Sequence, residues 1–190
     1  MKNTKVNKMV GIGLFTAIVV VLQLLGGGIK VGSMFSITLV LVPIVVGAAV
    51  YGWQAGAWLG FSFGVTVLLT GDAASFMAID PLATVLVVLV KGAGSGLISG
   101  LVYSALKKKN TIVAVVLSAI TCPFVNTGIF LIGCKLFFYE KVSEWAAQLG
   151  FDNAAAYMFL GLAGVNFLIE LAVNILLAPA ITRLIAYAKK

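Results

Sequence analysis

Six long apolar runs, separated by short polar breaks, organise the chain at about 9–25, 34–50, 54–70, 81–106, 111–138 and 154–187. At roughly 1.5 Å of rise per residue, runs of this length predict membrane-crossing helices. The fourth run is the most fully specified. Asp80 can cap it, Pro81 suits its first turn, and Lys107, Lys108 and Lys109 suit the negative end of its dipole. From Pro81 to Leu106 it reaches about 39 Å, and its only formal charge is Lys91. Gly92, Gly96 and Gly100 recur at spacing four on it, as do Gly52, Gly56, Gly60 and Gly64 along the third run. Each series predicts a smooth strip where another helix can approach closely.

The punctuation adds detail. Pro43 should bend the second run or start its regular part, and Pro123 and Pro179 interrupt the fifth and sixth. The break at 139–153 is the longest connection, in which 142–149 can form a short interfacial helix. Asp152 or Asn153 is placed to cap the last run.

Composition turns this pattern into a class. With 62% hydrophobic residues, 10% charged and a mean hydropathy of +1.14, the chain lies outside the soluble range, where about a quarter of residues are charged. The expectation is one all-α integral membrane domain over 1–190, a bundle of six transmembrane helices. Lys2, Lys5 and Lys8 ahead of the first run also suit a secretory signal peptide, but no convincing small-x-small cleavage site follows and the apolar runs keep recurring.

The net charge of +7 could point to nucleic acid, and its distribution removes that reading. With the amino terminus in the cytoplasm, the inner side receives Lys2, Lys5, Lys8, Lys107, Lys108, Lys109, Arg183, Lys189 and Lys190. The outer loops receive Lys30 and Lys141 together with Asp72, Asp80, Glu140, Glu144 and Asp152. Six spans with both termini in the cytoplasm satisfy the positive-inside rule, which places the chain in the cell membrane, in contact with the lipid bilayer.

Within the spans remain Lys91 on the fourth helix, Thr121, Asn126, Thr127 and Lys135 on the fifth, and Asn166, Glu170 and Asn174 on the sixth. The last three, spaced by four, share a face that must look into the bundle. Lys91 and Asn166 come out at comparable depth, so Lys91 can pair with Glu170 or with an anion brought in from outside. Asn126 and Thr127, beside Pro123, add donors and acceptors at mid-depth. Lys135 can snorkel to the interface four residues before Tyr139, or face the cavity if the helix is distorted, since it stands about 180° from Asn126 on a straight one. Two intramembrane lysines against one glutamate favour a substrate with one negative group.

Catalytic chemistry finds no foothold. The chain has no histidine, no phosphate-binding Gly-x-x-x-x-Gly-Lys loop, and no base to serve the serine of Gly94-Ser95-Gly96. Cys122 and Cys134 stand about 18 Å apart along one helix and read as packed thiols. Neither enzyme activity nor a cofactor or metal is expected. One alternative is a self-sufficient proton-coupled secondary transporter using Glu170.

Several stretches together carry a family likeness. These are Gly13 and Ala17 as a small-x-x-x-small pair, Phe35-Ser36-Ile37-Thr38-Leu39-Val40-Leu41-Val42-Pro43 with Gly47, Val90-Lys91-Gly92, Cys122-Pro123-Phe124-Val125-Asn126-Thr127-Gly128, and Gly164-Val165-Asn166-Phe167-Leu168-Ile169-Glu170. The chain resembles the substrate-binding S component of an energy-coupling factor (ECF) vitamin transporter. The resemblance implies a subunit that captures a vitamin near its outer face, then topples against a transmembrane coupling subunit driven by two cytosolic ATPase subunits. It implies docking through Gly13 and Ala17, where the family typically has Ala-x-x-x-Ala. It also puts the site where the buried polar residues are: Lys91 to neutralise the ligand anion, Asn126, Thr127 and Asn166 to hydrogen-bond it, Glu170 to orient Lys91 or accept a ligand hydroxyl, and Phe35 and Phe76 to cover it. Pantothenate fits a mono-anion with hydroxyl and amide groups, with nicotinate, folate and an uncharged flavin also open.

Overall fold

The computed structural model describes residues 4–26, 30–31, 35–36 and 39–188, with side chains described for 5–26 and 39–185. In chain order the elements are α1 (Thr4–Gly26), a two-residue antiparallel pairing of β1 (Lys30–Val31) with β2 (Phe35–Ser36), α2 (Leu41–Tyr51), α3 (Trp53–Thr70), α4 (Ala74–Met77), α5 (Pro81–Leu106), α6 (Thr111–Phe137) and α7 (Tyr139–Gln148). The last principal helix is composite: α8 (Ala154–Ala156), a π-helical stretch (Tyr157–Gly164) and α9 (Val165–Ala188).

The caps explain why the long helices start where they do. The Asp80 carboxylate accepts from the Ala83 amide at 3.0 Å, the Asn110 side chain from Ile112 at 2.9 Å and Val113 at 3.2 Å, and that of Asn153 from Ala156 at 2.8 Å. Asn153, rather than Asp152, therefore opens the last helix. The second apolar run departs from expectation. Its helix begins at Leu41 instead of near 34, because Pro43 sits in the first turn, where a missing N–H does no harm.

Four stretches are long and apolar enough to cross a membrane: Lys5–Gly26, Pro81–Leu106, Thr111–Phe137 and Ala154–Ile185. The 18 residues of α3 and the 11 of α2 complete the bundle. The surface is inverted relative to a soluble protein. Leu69, Leu82, Leu136 and Leu176 face outward while Gln23, Asn126, Glu170 and Asn174 are buried, which fits lipid surroundings.

The two glycine series meet each other. A Cβ on Gly60 would collide with the carbonyl oxygen of Gly92, and one on Gly92 with that of Gly60; Gly56 and Gly96 oppose one another in the same way. This backbone-to-backbone contact joins α3 to α5 and fixes the rotation of α5 about its axis. Gly52 belongs to neither strip: at φ 100° it makes the break between α2 and α3, a conformation that only glycine adopts freely.

Two apolar cores result. One gathers Val19, Leu41, Ile44, Leu59, Phe63, Tyr103, Val115 and Ile181 from α1, α2, α3, α5, α6 and α9. The other joins Ala83, Val87, Cys134, Phe138, Val142, Tyr157 and Leu162 under α7. The connection 139–153 thus forms the helix expected of it, starting three residues earlier and burying Val142 and Ala146. Cys122 and Cys134 are buried free thiols.

Candidate functional site

A cavity of about 330 Å³ lies inside the bundle, toward the end that carries α4 and α7. Rotated into place by the glycine contact, α5 turns Lys91 about 100° away from Gly92 and onto the cavity wall. The Lys91 ammonium stands 5.1 Å from the centroid of the Phe130 ring, a cation–π distance. Among the described residues no carboxylate comes within 4.0 Å of it, and it makes no hydrogen bond. Beside it on α6, Asn126 and Thr127 line the same wall, and Asn126 Oδ1 is buried with no hydrogen-bond partner among the described residues.

Opposite stands the last helix. Asn166 and Glu170 both line the cavity, four residues apart, and Asn166 Nδ2 donates to Glu170 Oε1 at 3.2 Å. Asn174 faces inward but donates to the Glu170 backbone carbonyl at 2.8 Å and is not on the wall. The π-helical stretch delivers Leu162 and Ala163 to the cavity immediately before Asn166. Such wide turns are rare and recur at functional sites.

Aromatic rings close the α4/α7 end. Phe76 meets Phe138, Trp145 and Phe130 edge to face, with centroids 5.1, 5.5 and 5.6 Å away, and all four line the cavity. The side chain of Phe35 lies outside the described residues.

Lys91, Asn126, Thr127, Asn166, Glu170 and Phe76 therefore share one hollow, and Lys135 does not. It is exposed near the end of α6 and absent from the wall, because α6 stays helical through Pro123 and carries position 135 round to the far side. The count of two lysines against one glutamate consequently does not describe the cavity, where Lys91 faces Glu170 with Asp72 at the rim. Any preference for an anion must come from where Lys91 stands.

Gln23, Asp72 and Trp145 also line the site, and sequence reasoning missed all three. Gln23 carries a usable signal, a long polar side chain inside an apolar helix. Asp72 and Trp145 carry none, since residues in the polar breaks between the apolar runs reach a wall only through the tertiary fold. Gly13 and Ala17 lie elsewhere, both exposed along one side of α1. No group of three or more metal-binding side chains occurs among the described residues.

Among curated proteins none matches the chain. The structure of ThiT from Listeria monocytogenes is similar, with a TM-score of 0.67 over 96% of this chain and 99% of that one at 23% sequence identity, a likeness of fold. The family described as the substrate-specific component of ECF transporters matches residues 7–182. The chain belongs to the family of ECF transporter substrate-specific components, which are non-enzymatic binding subunits of the membrane.

Proposed function

We propose that this subunit binds a small carboxylate vitamin, with pantothenate the favoured ligand, for uptake across the cytoplasmic membrane. Its six spans would leave both termini in the cytoplasm, and its energy would come from a transmembrane coupling subunit with two cytosolic ATPases. The observation that carries the substrate assignment is the Lys91 ammonium, which faces the cavity with no carboxylate within 4.0 Å among the described residues. A cation held in an apolar bundle needs a counter-charge, and an entering carboxylate supplies it through charge-assisted hydrogen bonds. Asn126 and Thr127 stand beside it to bind the same group, while Asn166 and Glu170 present acceptors to hydroxyl or amide hydrogens at the ligand's other end. The cavity volume, near the lower end of the roughly 300–1,000 Å³ common for small-molecule sites, favours pantothenate or nicotinate over folate.

Mass spectrometry of small molecules retained through gentle purification tests this directly. A carboxylate vitamin is the expected companion, and a retained ligand lacking any anionic group would overturn the assignment. Lys91→Ala should weaken binding more than tenfold, about 1.4 kcal/mol, by isothermal titration. Unchanged affinity would remove Lys91 from the site.

A further inference from the structure

Gln23 sits one turn before the end of α1, is fully buried, and lines the cavity. Its Nε2 donates to Asp72 Oδ2 at 2.5 Å, while its Oε1 is buried with no hydrogen-bond partner among the described residues. The two ends of a side-chain amide are told apart by what they touch. A carboxylate only accepts, so the NH2 group must face Asp72 and the carbonyl is left to the other side. Asn166 repeats the arrangement. Glu170 Oε1 takes its NH2 group, and Asn166 Oδ1 is buried with no partner among the described residues. Two amides on the cavity lining, from the first and last helices, are thus each held by a carboxylate and left with a buried carbonyl oxygen that has no hydrogen-bond partner among the described residues.

Building on the cavity as the substrate site, we infer that Gln23 and Asn166 read hydrogen-bond donors on the substrate, and that Asp72 positions Gln23 to do so. The substrate class narrows accordingly. It is an anion that also carries at least two O–H or N–H donors, with the anionic group toward Lys91 and the donors toward Gln23 and Asn166. Pantothenate, with hydroxyls and an amide N–H, belongs to this class. Nicotinate, a carboxylate with no donor, does not, because it would leave both carbonyls buried and unpaired.

The test is calorimetric binding of pantothenate and of nicotinate to the full chain in lipid nanodiscs. Wild type should prefer pantothenate. Asp72→Asn gives Gln23 a partner that can face either end of its amide, so the preference should narrow at least fivefold with thermal stability unchanged, as Asp72 is exposed at the rim. Gln23→Leu should narrow it at least as far, and adding Asp72→Asn to Gln23→Leu should change less than Asp72→Asn does alone, since the two side chains act as a coupled pair. Should Gln23→Leu fail to fold, Asp72→Asn alone decides. An unaltered preference in Asp72→Asn would overturn the inference, and is the outcome expected if water satisfies the Gln23 carbonyl. Failure of the underlying site looks different: wild type would bind neither probe, and both conclusions would fall. Were Lys91→Ala to bind as wild type does while Asp72→Asn still narrowed the preference, the donor-reading role would stand and the Lys91 role would not.

Discussion

At the scale of the residue, the role proposed for Lys91 sets binding against stability. Its ammonium has an aromatic ring for company and no carboxylate within 4.0 Å among the described residues, an arrangement that leaves much of its desolvation uncompensated. Lys91→Met keeps the stem and removes the charge. The ligand-free variant should melt at the same temperature as wild type or higher, while affinity for a carboxylate vitamin falls more than tenfold. A clear loss of thermal stability without ligand would instead make Lys91 a structural residue. Lys135→Met should leave affinity unchanged, since position 135 is exposed and off the wall. Lys91, Asn126, Asn166 and Glu170 are legible in the sequence alone because a polar side chain inside an apolar run is a local signal with a direct physical meaning. Gln23 meets the same criterion, but a single uncharged amide one turn from a helix end stands out less than a charge or a cluster. Asp72 cannot be read this way, since an aspartate in a polar break looks like ordinary solvent exposure until α1 is folded against it.

At the scale of the element, the contact between α3 and α5 decides where the site residues point. Gly60 and Gly92 are opposed so closely that a methyl group on either would meet the other's carbonyl oxygen, which no side-chain rotation can relieve. Gly92→Ala should therefore destabilise the protein by about 1–3 kcal/mol or more, the usual range for overpacking. By turning α5, the same change should also weaken vitamin binding. Thermal melting and titration of the purified variant check both effects; native-like stability would mean that the helices can separate freely. Spacing-four glycines announce two close-approach strips, and the fold shows them to be two sides of one interface. The late start of α2 at Leu41 is half visible in the sequence, since Pro43 marks a bend or a beginning, but hydrophobicity alone continues the run back to 34. The π-helical stretch Tyr157–Gly164 is not visible there, because it is a change of hydrogen-bond register within a run whose apolar content is uniform.

At the scale of the whole molecule, a binding subunit must do two separable things, hold its ligand and meet its coupling partner, and the proposed cavity and the proposed docking pair lie on different parts of the fold. The cavity is lined mainly by α3, α5, α6 and the last helix, with Gln23 from the far end of α1, whereas Gly13 and Ala17 lie exposed nearer the start of α1 and off its wall. The chain itself leaves room at Gly13: a Cβ built there meets nothing within 4 Å, in contrast to Gly11 two residues earlier, where it would run into the Tyr51 ring. A bulky residue at 13 should then be harmless to the isolated subunit and harmful only where another helix must come close. Gly13→Leu is expected to keep wild-type melting behaviour and vitamin affinity, yet to lose most uptake in vesicles containing the complete transporter. Gly11→Leu should instead lower stability before any partner is added. Full uptake by Gly13→Leu would move the docking face elsewhere on the bundle, and reduced affinity would show that α1 shapes the site through more than Gln23. The pair of variants separates a defect in assembly from a defect in folding, which a single substitution on a membrane helix cannot do.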